Sequence, residues 1–548
     1  MAKIYPSLDY LREVHNNSPP SNLETNCGQI FSKTPAITKE FLDIIELKDI
    51  APKKTNICGY VLKTRRIWVL SGLFLLFLSS LTGSIVMWFT GTFDRAVLSN
   101  FVLSNNTLAY ENWKMPPVRP LLKIHLFNYT NVDAYGNGIA NKFKVQDVGP
   151  FVYEETLEKV NVRFHQDSTV SYQEKRSYKF RPDLSSRKTT SILTVPNLPM
   201  LGAVSVNRFS YYMVRLSLAT VFNGIGVRPF INLPAHKFIW GYEDILYTLA
   251  KTVMPLEDDV PVGNFGLMMA RNGTSNDIIT VNTGENGMSK LNYVNSYNGQ
   301  GSLPHWHGKR CNKIEGSDGS FFPPYSVRNK RPLYIYKKEM CRRLPLIYDK
   351  EVNVFKGRIP AYRYVLPKDI FDLDAEENKC FCQSNDECPP RGVFNVSACA
   401  FGAPFFISLP HFYNADPVLM KNIEGLQPDP EKHDSFLNLH KLGFPMVGVS
   451  RFQLNVLVRK PFGISHMDMF PEEMYLPVAW IEMSISEEEI SDDLMDLINT
   501  LTFTIPNTES ALKYGSVLTV LVTFFAILIV LRNQWLEQRE ELRISSSY

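Results

Sequence analysis

The chain has 548 residues, a formal net charge of +3 and 45% hydrophobic residues. That is an ordinary globular balance, with no basic excess that would suit a nucleic-acid backbone. The length allows about two to four domains, but the uneven hydropathy is the stronger guide to organisation.

Residues 1–66 read as a largely disordered tail. Within it "YPSL", with Tyr5 and Leu8, has the form of a tyrosine-based endocytic signal that would meet a cytoplasmic adaptor. Four-residue matches of this kind are also frequent by chance. Cys58 stands close to the apolar run that follows; it is a candidate for palmitoylation, and an unmodified thiol is an equal alternative. From Ile67 to Phe89 no residue is charged. As a helix this run spans roughly 34 Å, enough to cross the hydrocarbon core of a bilayer. A second apolar run, Tyr514 to Leu531, is the other predicted span.

Lys53, Lys54, Lys63, Arg65 and Arg66 precede the first run, and Arg532 and Arg539 follow the second. Only Arg95 and Lys513 flank the other sides, so both tails are expected in the cytoplasm. The expected division is a tail at 1–66, a span at 67–89, a luminal or external domain at 90–512, a span at 513–531 and a tail at 532–548.

Most of the large domain reads as strand. "LLKIHLFNYT" alternates through Leu122, Ile124 and Leu126, "VNVRF" through Val160, Val162 and Phe164, and "RFQLNVLV" through Phe452, Leu454, Val456 and Val458. Sequons at Asn105, Asn128, Asn272 and Asn395 predict glycosylation and mark surface turns. About 198–251 the pattern is helical instead, and no acid occurs between Asp183 and Glu243. Arg208, Arg215, Arg228 and Lys237 in this window are candidates for capturing anionic or amphipathic ligands, although solvated charge over a buried core explains each one singly. "SEEEISDD" (486–493) reads as a solvated helix start.

Six of the eight cysteines lie in the large domain, three of them in "KCFCQSNDEC". In an oxidising compartment they read as disulfides, with many connectivities open; their spacing matches no common zinc pattern. "HWH" at 305–307 reads as strand histidines sharing a face rather than as metal ligands. No G-x-S-x-G elbow, P-loop, H-E-x-x-H or G-x-G-x-x-G occurs, so neither an enzyme nor a cofactor is expected.

Longer stretches carry a resemblance. "VGPFVYEE" (148–155), "FIWGYED" (238–244), "FFPPYS" (321–326), "CAFGAPFFISLPHFYNADP" (399–417), "EGLQPDPEKHDSFLNLH" (424–440) and "RFQLNVLVRK" (451–460) follow in order. Together with the two spans and six cysteines, they resemble the class B scavenger receptor family. That group spans fatty-acid translocase, the high-density lipoprotein receptor, lysosomal integral membrane protein type 2 and sensory neuron membrane proteins.

The resemblance implies an α+β fold: an irregular antiparallel β-barrel with an apolar tunnel and a membrane-distal helical cap, flanked by two membrane helices. It implies bridges Cys311–Cys380, Cys341–Cys399 and Cys382–Cys388. It also implies a plasma-membrane receptor for lipids, fatty acids or lipoprotein particles that passes lipid to the membrane. The alternative it implies is a trafficking receptor for a soluble protein in endosomes or lysosomes. Self-association is compatible with either. Two features depart from the pattern: the N-terminal tail is unusually long, and "FNGIGVRPF" carries only Arg228 where fatty-acid-binding members present lysines.

Overall fold

A computed structural model describes residues 54–57, 60–253, 264–382, 388–400 and 402–547. The chain divides into two compact units, residues 1–79 with 521–548, and residues 80–520.

In the first unit, strand Lys54–Ile57 pairs antiparallel with Tyr60–Lys63. Helix α1, Thr64–Phe89, starts a little before the predicted span and continues into the second unit. Long apolar stretches of both terminal helices are almost wholly unburied by protein, as expected of segments whose solvent is lipid. Tyr5, Leu8 and Cys58 lie outside the described residues.

The second unit opens with helix α2, Thr92–Ser99. Helix α3, Leu108–Lys114, follows and is capped by the Thr107 hydroxyl, which accepts the Tyr110 N–H. The core is a 15-stranded sheet whose main path holds eleven strands. In chain order that path holds β1 (Leu121–Tyr129), β2 (Phe143–Phe164), β3 (Thr169–Phe180), β4 (Ile279–Asn282) and β5 (Val294–Tyr297). It continues with β6 (Leu333–Lys337), β7 (Arg342–Val354), β8 (Ile359–Val365), β9 (Phe436–Leu439), β10 (Pro445–Arg459) and β11 (Glu473–Ile485). Spatial order is β5-β4-β3-β2-β1-β11-β10-β9-β8-β7-β6, every pairing antiparallel.

The edge strands β5 and β6 do not pair with each other. A short segment joins them: Val294 N–H donates to Gly316 O at 2.8 Å, Ser317 N–H to Tyr334 O at 2.8 Å, and Tyr336 N–H to Ser317 O at 2.9 Å. The sheet is thereby a nearly closed antiparallel barrel, as expected.

Three alternating stretches predicted as strands lie in β1, β2 and β10, with two differences of facing. In β2 the register shifts between Val160 and Arg163, and Asn161 has φ 54°. This bulge leaves Lys159 buried and Phe164 exposed, so the inside–outside alternation expected through Val160, Val162 and Phe164 is lost. In β10, Gln453 and Asn455 are fully buried whereas Phe452 and Leu454 are only half-buried.

The cap between β3 and β4 holds α4 (Leu198–Val206), α5 (Tyr212–Ile225), α6 (Ala235–Trp240) and α7 (Ile245–Val253). A strand pair, Ile192–Pro196 with Phe230–Pro234, interrupts it, so the predicted window is not uniformly helical. Asn197 caps α4 by accepting the Met200 N–H, and the cap core is apolar: Met200, Leu201, Phe222 and Phe238 are buried.

After β11 the acidic run leads to helix α8, Asp492–Asn499, whose N-cap Ser491 accepts the Leu494 N–H. The chain passes through a short wider turn at Thr500–Thr504 and into α9, Ile505–Ser545. This helix extends well beyond the predicted span at both ends, and residues 532–545, expected as tail, are helical.

Cys311 bonds to Cys380 and Cys341 to Cys399, each with Cα atoms 5.9 Å apart; Cys382 bonds to Cys388 with 5.4 Å. One buried ion pair fixes α3 to the wall. Lys159 Nζ on β2 lies 3.3 Å from Asp318 Oδ2 and donates to Trp113 O at 2.9 Å and Ser320 Oγ at 2.7 Å. The ammonium also sits 4.5 Å from the Trp113 ring centroid.

Candidate functional site: an apolar cavity with a charged band

The interior of the barrel is not filled. It holds a cavity of about 1400 Å³, beyond the ~300–1,000 Å³ of ordinary ligand pockets. Strand alternation explains why the wall is apolar. In β10, Phe452 and Leu454 border the void; in β11, Ile481, Met483 and Ile485 do the same. Their uncovered surface faces the cavity, which is why they are only half-buried.

The opposite face of β10 carries Gln453 and Asn455, and their polar atoms are satisfied. Gln453 Oε1 accepts the His411 N–H at 2.6 Å, Gln453 Nε2 donates to Asn455 Oδ1 at 2.7 Å, and Asn455 Nδ2 to Ser408 Oγ at 2.9 Å. Buried amides with such partners incur no desolvation penalty large enough to invert the strand.

Part of the lining comes from Phe93, Ala96 and Val97 of α2 and Leu494, Leu497 and Ile498 of α8. These helices follow α1 and precede α9 directly in sequence. Another part comes from the segment Phe265–Met268, which hydrogen-bonds to cap helix α6: Leu267 N–H donates to Phe238 O at 3.1 Å and Met268 N–H to Ile239 O at 2.9 Å.

Beside that segment the lining turns from apolar to charged. Arg176 donates to Glu155 Oε1 at 2.7 Å and to Glu174 Oε1 at 2.8 Å, and Arg271 donates to Glu339 Oε1 at 2.7 Å. Lys338 Nζ lies 3.0 Å from Asp277 Oδ2, and 3.3 Å from Glu174 Oε2 in an ion-pair contact outside hydrogen-bond geometry. Burial works against the Glu174 carboxylate, but Arg176 and Lys338 overcome it and hold it at about 2. Burial likewise opposes ionisation of Glu339, which Arg271 and Lys337 hold at about 2. The Glu339 side chain borders the cavity and is 45% exposed.

A second polar cluster lies on the other side of the wall, around Asp147 of β2. Its Oδ1 is 3.0 Å from His125 Nδ1, and its Oδ2 accepts from Trp480 Nε1 at 2.9 Å and pairs with His411 Nε2 at 3.1 Å. His411 Nδ1 accepts the Gln427 N–H at 3.2 Å, which leaves its proton on Nε2 facing Asp147. The His433 ring stacks on His411 with centroids 4.6 Å apart, and its Nδ1 accepts the Asp429 N–H at 2.9 Å. Burial, reinforced by the neighbouring His411, pushes His433 down to about 4. Burial opposes ionisation of Asp147, yet the surrounding histidines and Trp480 hold it below the ordinary carboxylate range.

A family model described as the CD36 family matches residues 70–531. The chain belongs to the CD36 family. Scavenger receptor class B member 1 of Bos taurus is 34% identical to it over 430 residues, 78% of this chain and 82% of that protein. Lysosome membrane protein 2 of Mus musculus is 31% identical over 435 residues, 78% of this chain and 87% of that protein. Like its CD36-family relatives, the chain is read as a membrane protein, with two helices long and apolar enough to cross a bilayer.

Within this CD36-family frame the site residues read from sequence fall in different places. Arg208 lies 4.0 Å from the Phe209 ring centroid, and its carbonyl accepts from Arg215 Nη1 at 3.2 Å. Arg228, in the loop after α5, and Lys237 of α6 are both exposed, and none of the four borders the cavity. Asn105 and Asn272 are exposed at turns. Asn128 and Asn395 instead lie in strands, half-buried, with side-chain oxygens accepting the Thr194 and Ser397 N–H groups. That corrects the expectation that all four sequons mark turns. "HWH" is irregular backbone, not strand, because Trp306 is buried and its indole N–H donates to Cys341 O at 2.7 Å. Among the described residues no group of His, Cys, Asp or Glu is placed to hold a metal ion.

Sequence reasoning missed the charged band and the Asp147 cluster. The one local signal was "YKKEM" (336–340), a lysine pair at the end of an otherwise apolar strand.

Proposed function

We propose that this protein is a two-pass receptor with both tails in the cytoplasm, which binds lipids or lipoproteins outside and moves lipid through the barrel cavity to the membrane. The carrying observation is the cavity itself: about 1400 Å³, apolar, and lined in part by α2 and α8, the segments adjoining the two membrane helices. Burying an acyl chain yields about 0.8 kcal/mol per methylene, so the wall alone supplies the driving force without a catalyst. The relatives named scavenger receptor support the same reading. In it, Arg208 and Arg215, beside exposed Phe209 and Tyr211, make first contact with the ligand.

The test fills the cavity from two strands. Leu454→Trp and Ile481→Trp should each cut uptake of a labelled lipid by cells several-fold while surface amount stays unchanged. Full uptake with a filled cavity would refute transport through the barrel. Endosomal or lysosomal residence is the second reading. It is favoured by the relatives named lysosome membrane protein 2 and by His433, which burial and the neighbouring His411 push down to about 4.

A further inference from the structure

Lys337 closes β6 and borders the cavity beside the charged band. The neighbouring cations are matched: Arg176 pairs with Glu155 and Glu174, Arg271 with Glu339, and Lys338 with Asp277 and Glu174. Lys337 is not. Among the described residues its ammonium has neither a hydrogen bond nor an ion pair, while Glu339, the carboxylate acting most strongly on it, is already bonded to Arg271. Surrounding protein depresses the Lys337 pKa by desolvation; Glu339 counters this, and Arg271 and Arg176 add to it.

A half-buried ammonium with no protein partner is unfavourable unless something else solvates it. Water can fill that role in the empty cavity, but an anionic oxygen does so more strongly. Away from the charged band the void is mostly apolar, with Leu344 and Leu346 of the adjoining β7, Phe452 and Ile481 among its walls. One unpaired cation at the margin of a large apolar volume is complementary to one chemical form: a single anionic head on a long hydrocarbon chain.

We propose that Lys337 is the head-group anchor of the cavity, selecting amphiphiles that end in a carboxylate or phosphate and leaving their chains along the wall toward α2 and α8. The assignment rests on the cavity being a lipid site. It places charge recognition inside the barrel, on a residue distinct from the arginines of the cap.

The experiment uses the full chain in cell membranes, labelled with photoreactive oleate, oleyl phosphate or oleyl alcohol of the same chain. The acid or the phosphate should label the native chain at about tenfold lower concentration than the alcohol does, the size of one charge-assisted contact. Lys337→Met should abolish that preference and Lys337→Arg should keep it. Whichever anion labels at the lower concentration names the head group. If the alcohol labels the native chain as well as both anions do, or Lys337→Met keeps the preference, the anchor is wrong and the lipid cavity stands. If no probe labels the native chain, the cavity reading itself fails, and the anchor with it.

Thermal unfolding of the same variants guards against a folding artefact. With its lone charge removed, Lys337→Met should unfold no lower than the native chain and should lose the upward shift that oleate or oleyl phosphate produces. A clear drop in its unfolding temperature would make Lys337 a structural residue and overturn the proposal.

Discussion

In the helical cap, Phe209, Tyr211 and Met213 stand 87%, 88% and 66% exposed to bulk solvent. In the barrel wall, Phe452, Leu454 and Ile481 are half-buried and border the cavity. Both regions withhold apolar side chains from a protein core, but the surroundings differ in every other respect. The wall is tied by strand-to-strand hydrogen bonds and a buried ion pair; the cap's short helices pack into the same apolar cluster as Phe127, Val456 and Leu476 of the barrel strands. The difference separates a surface arranged to be met from a volume arranged to be filled.

Substitutions can break that contrast, and the largest effect is expected where the wall buries charge. Asp318→Asn leaves Lys159 buried without its carboxylate and should lower stability by about 3–5 kcal/mol in denaturant unfolding. Lys159→Met combined with Asp318→Asn should recover most of that loss. A single-variant loss below about 1 kcal/mol would show that the pair is not needed to hold α3 on the wall.

Next come two leucines on adjoining strands. Leu476→Ala removes a fully buried side chain and should cost about 2–5 kcal/mol, whereas Leu454→Ala only enlarges an existing void and should cost about 1 kcal/mol. Equal losses would mean that Leu454 packs as core.

The third test is pH. His433 has a folded-state pKa of about 4 against an ordinary 6.5, so between those values the unfolded chain binds a proton that the folded chain refuses. Stability is therefore full above about pH 6.5, declines as pH falls toward 4 by on the order of 3 kcal/mol, and levels off below that for this group. Asp147, held low in the folded state, adds a further loss only below about pH 4. His433→Gln should flatten the slope between pH 6.5 and 4. An unchanged slope would assign the acid sensitivity elsewhere.

The smallest effect belongs to the cap. Phe209→Ser with Tyr211→Ser should shift stability by no more than about 0.5 kcal/mol, because both rings are almost wholly exposed. Ligand binding to cells should nevertheless fall. Unchanged binding would remove the cap apex from the capture step.

Period-two stretches at Leu122–Leu126 and Phe452–Val458 made the strands legible, and the acid-free window marked the cap. Alternation could not say which face of β10 bordered a void. Gln453 and Asn455 look like the solvent side until Ser408 and His411 are placed beside them. The charged band was less legible still. Glu155, Arg176, Arg271 and Glu339 are scattered along the chain and meet only because antiparallel pairing carries β2 and β3 beside one another and the barrel curls β6 toward them. The histidine cluster is equally non-local, drawing on β1, β2 and β11, on the short turn that carries His411 and on the short helix that ends at His433.

The join at Ser317 has a mechanical consequence. Around most of the barrel, changing the girth means unzipping two strands along their length. Between β5 and β6 the hoop is fastened instead by a few hydrogen bonds through Gly316 and Ser317. A bulky cargo pressing outward would meet stiff staves everywhere except at this clasp, so the barrel has a preferred direction in which to swell, and a single buried serine sets it.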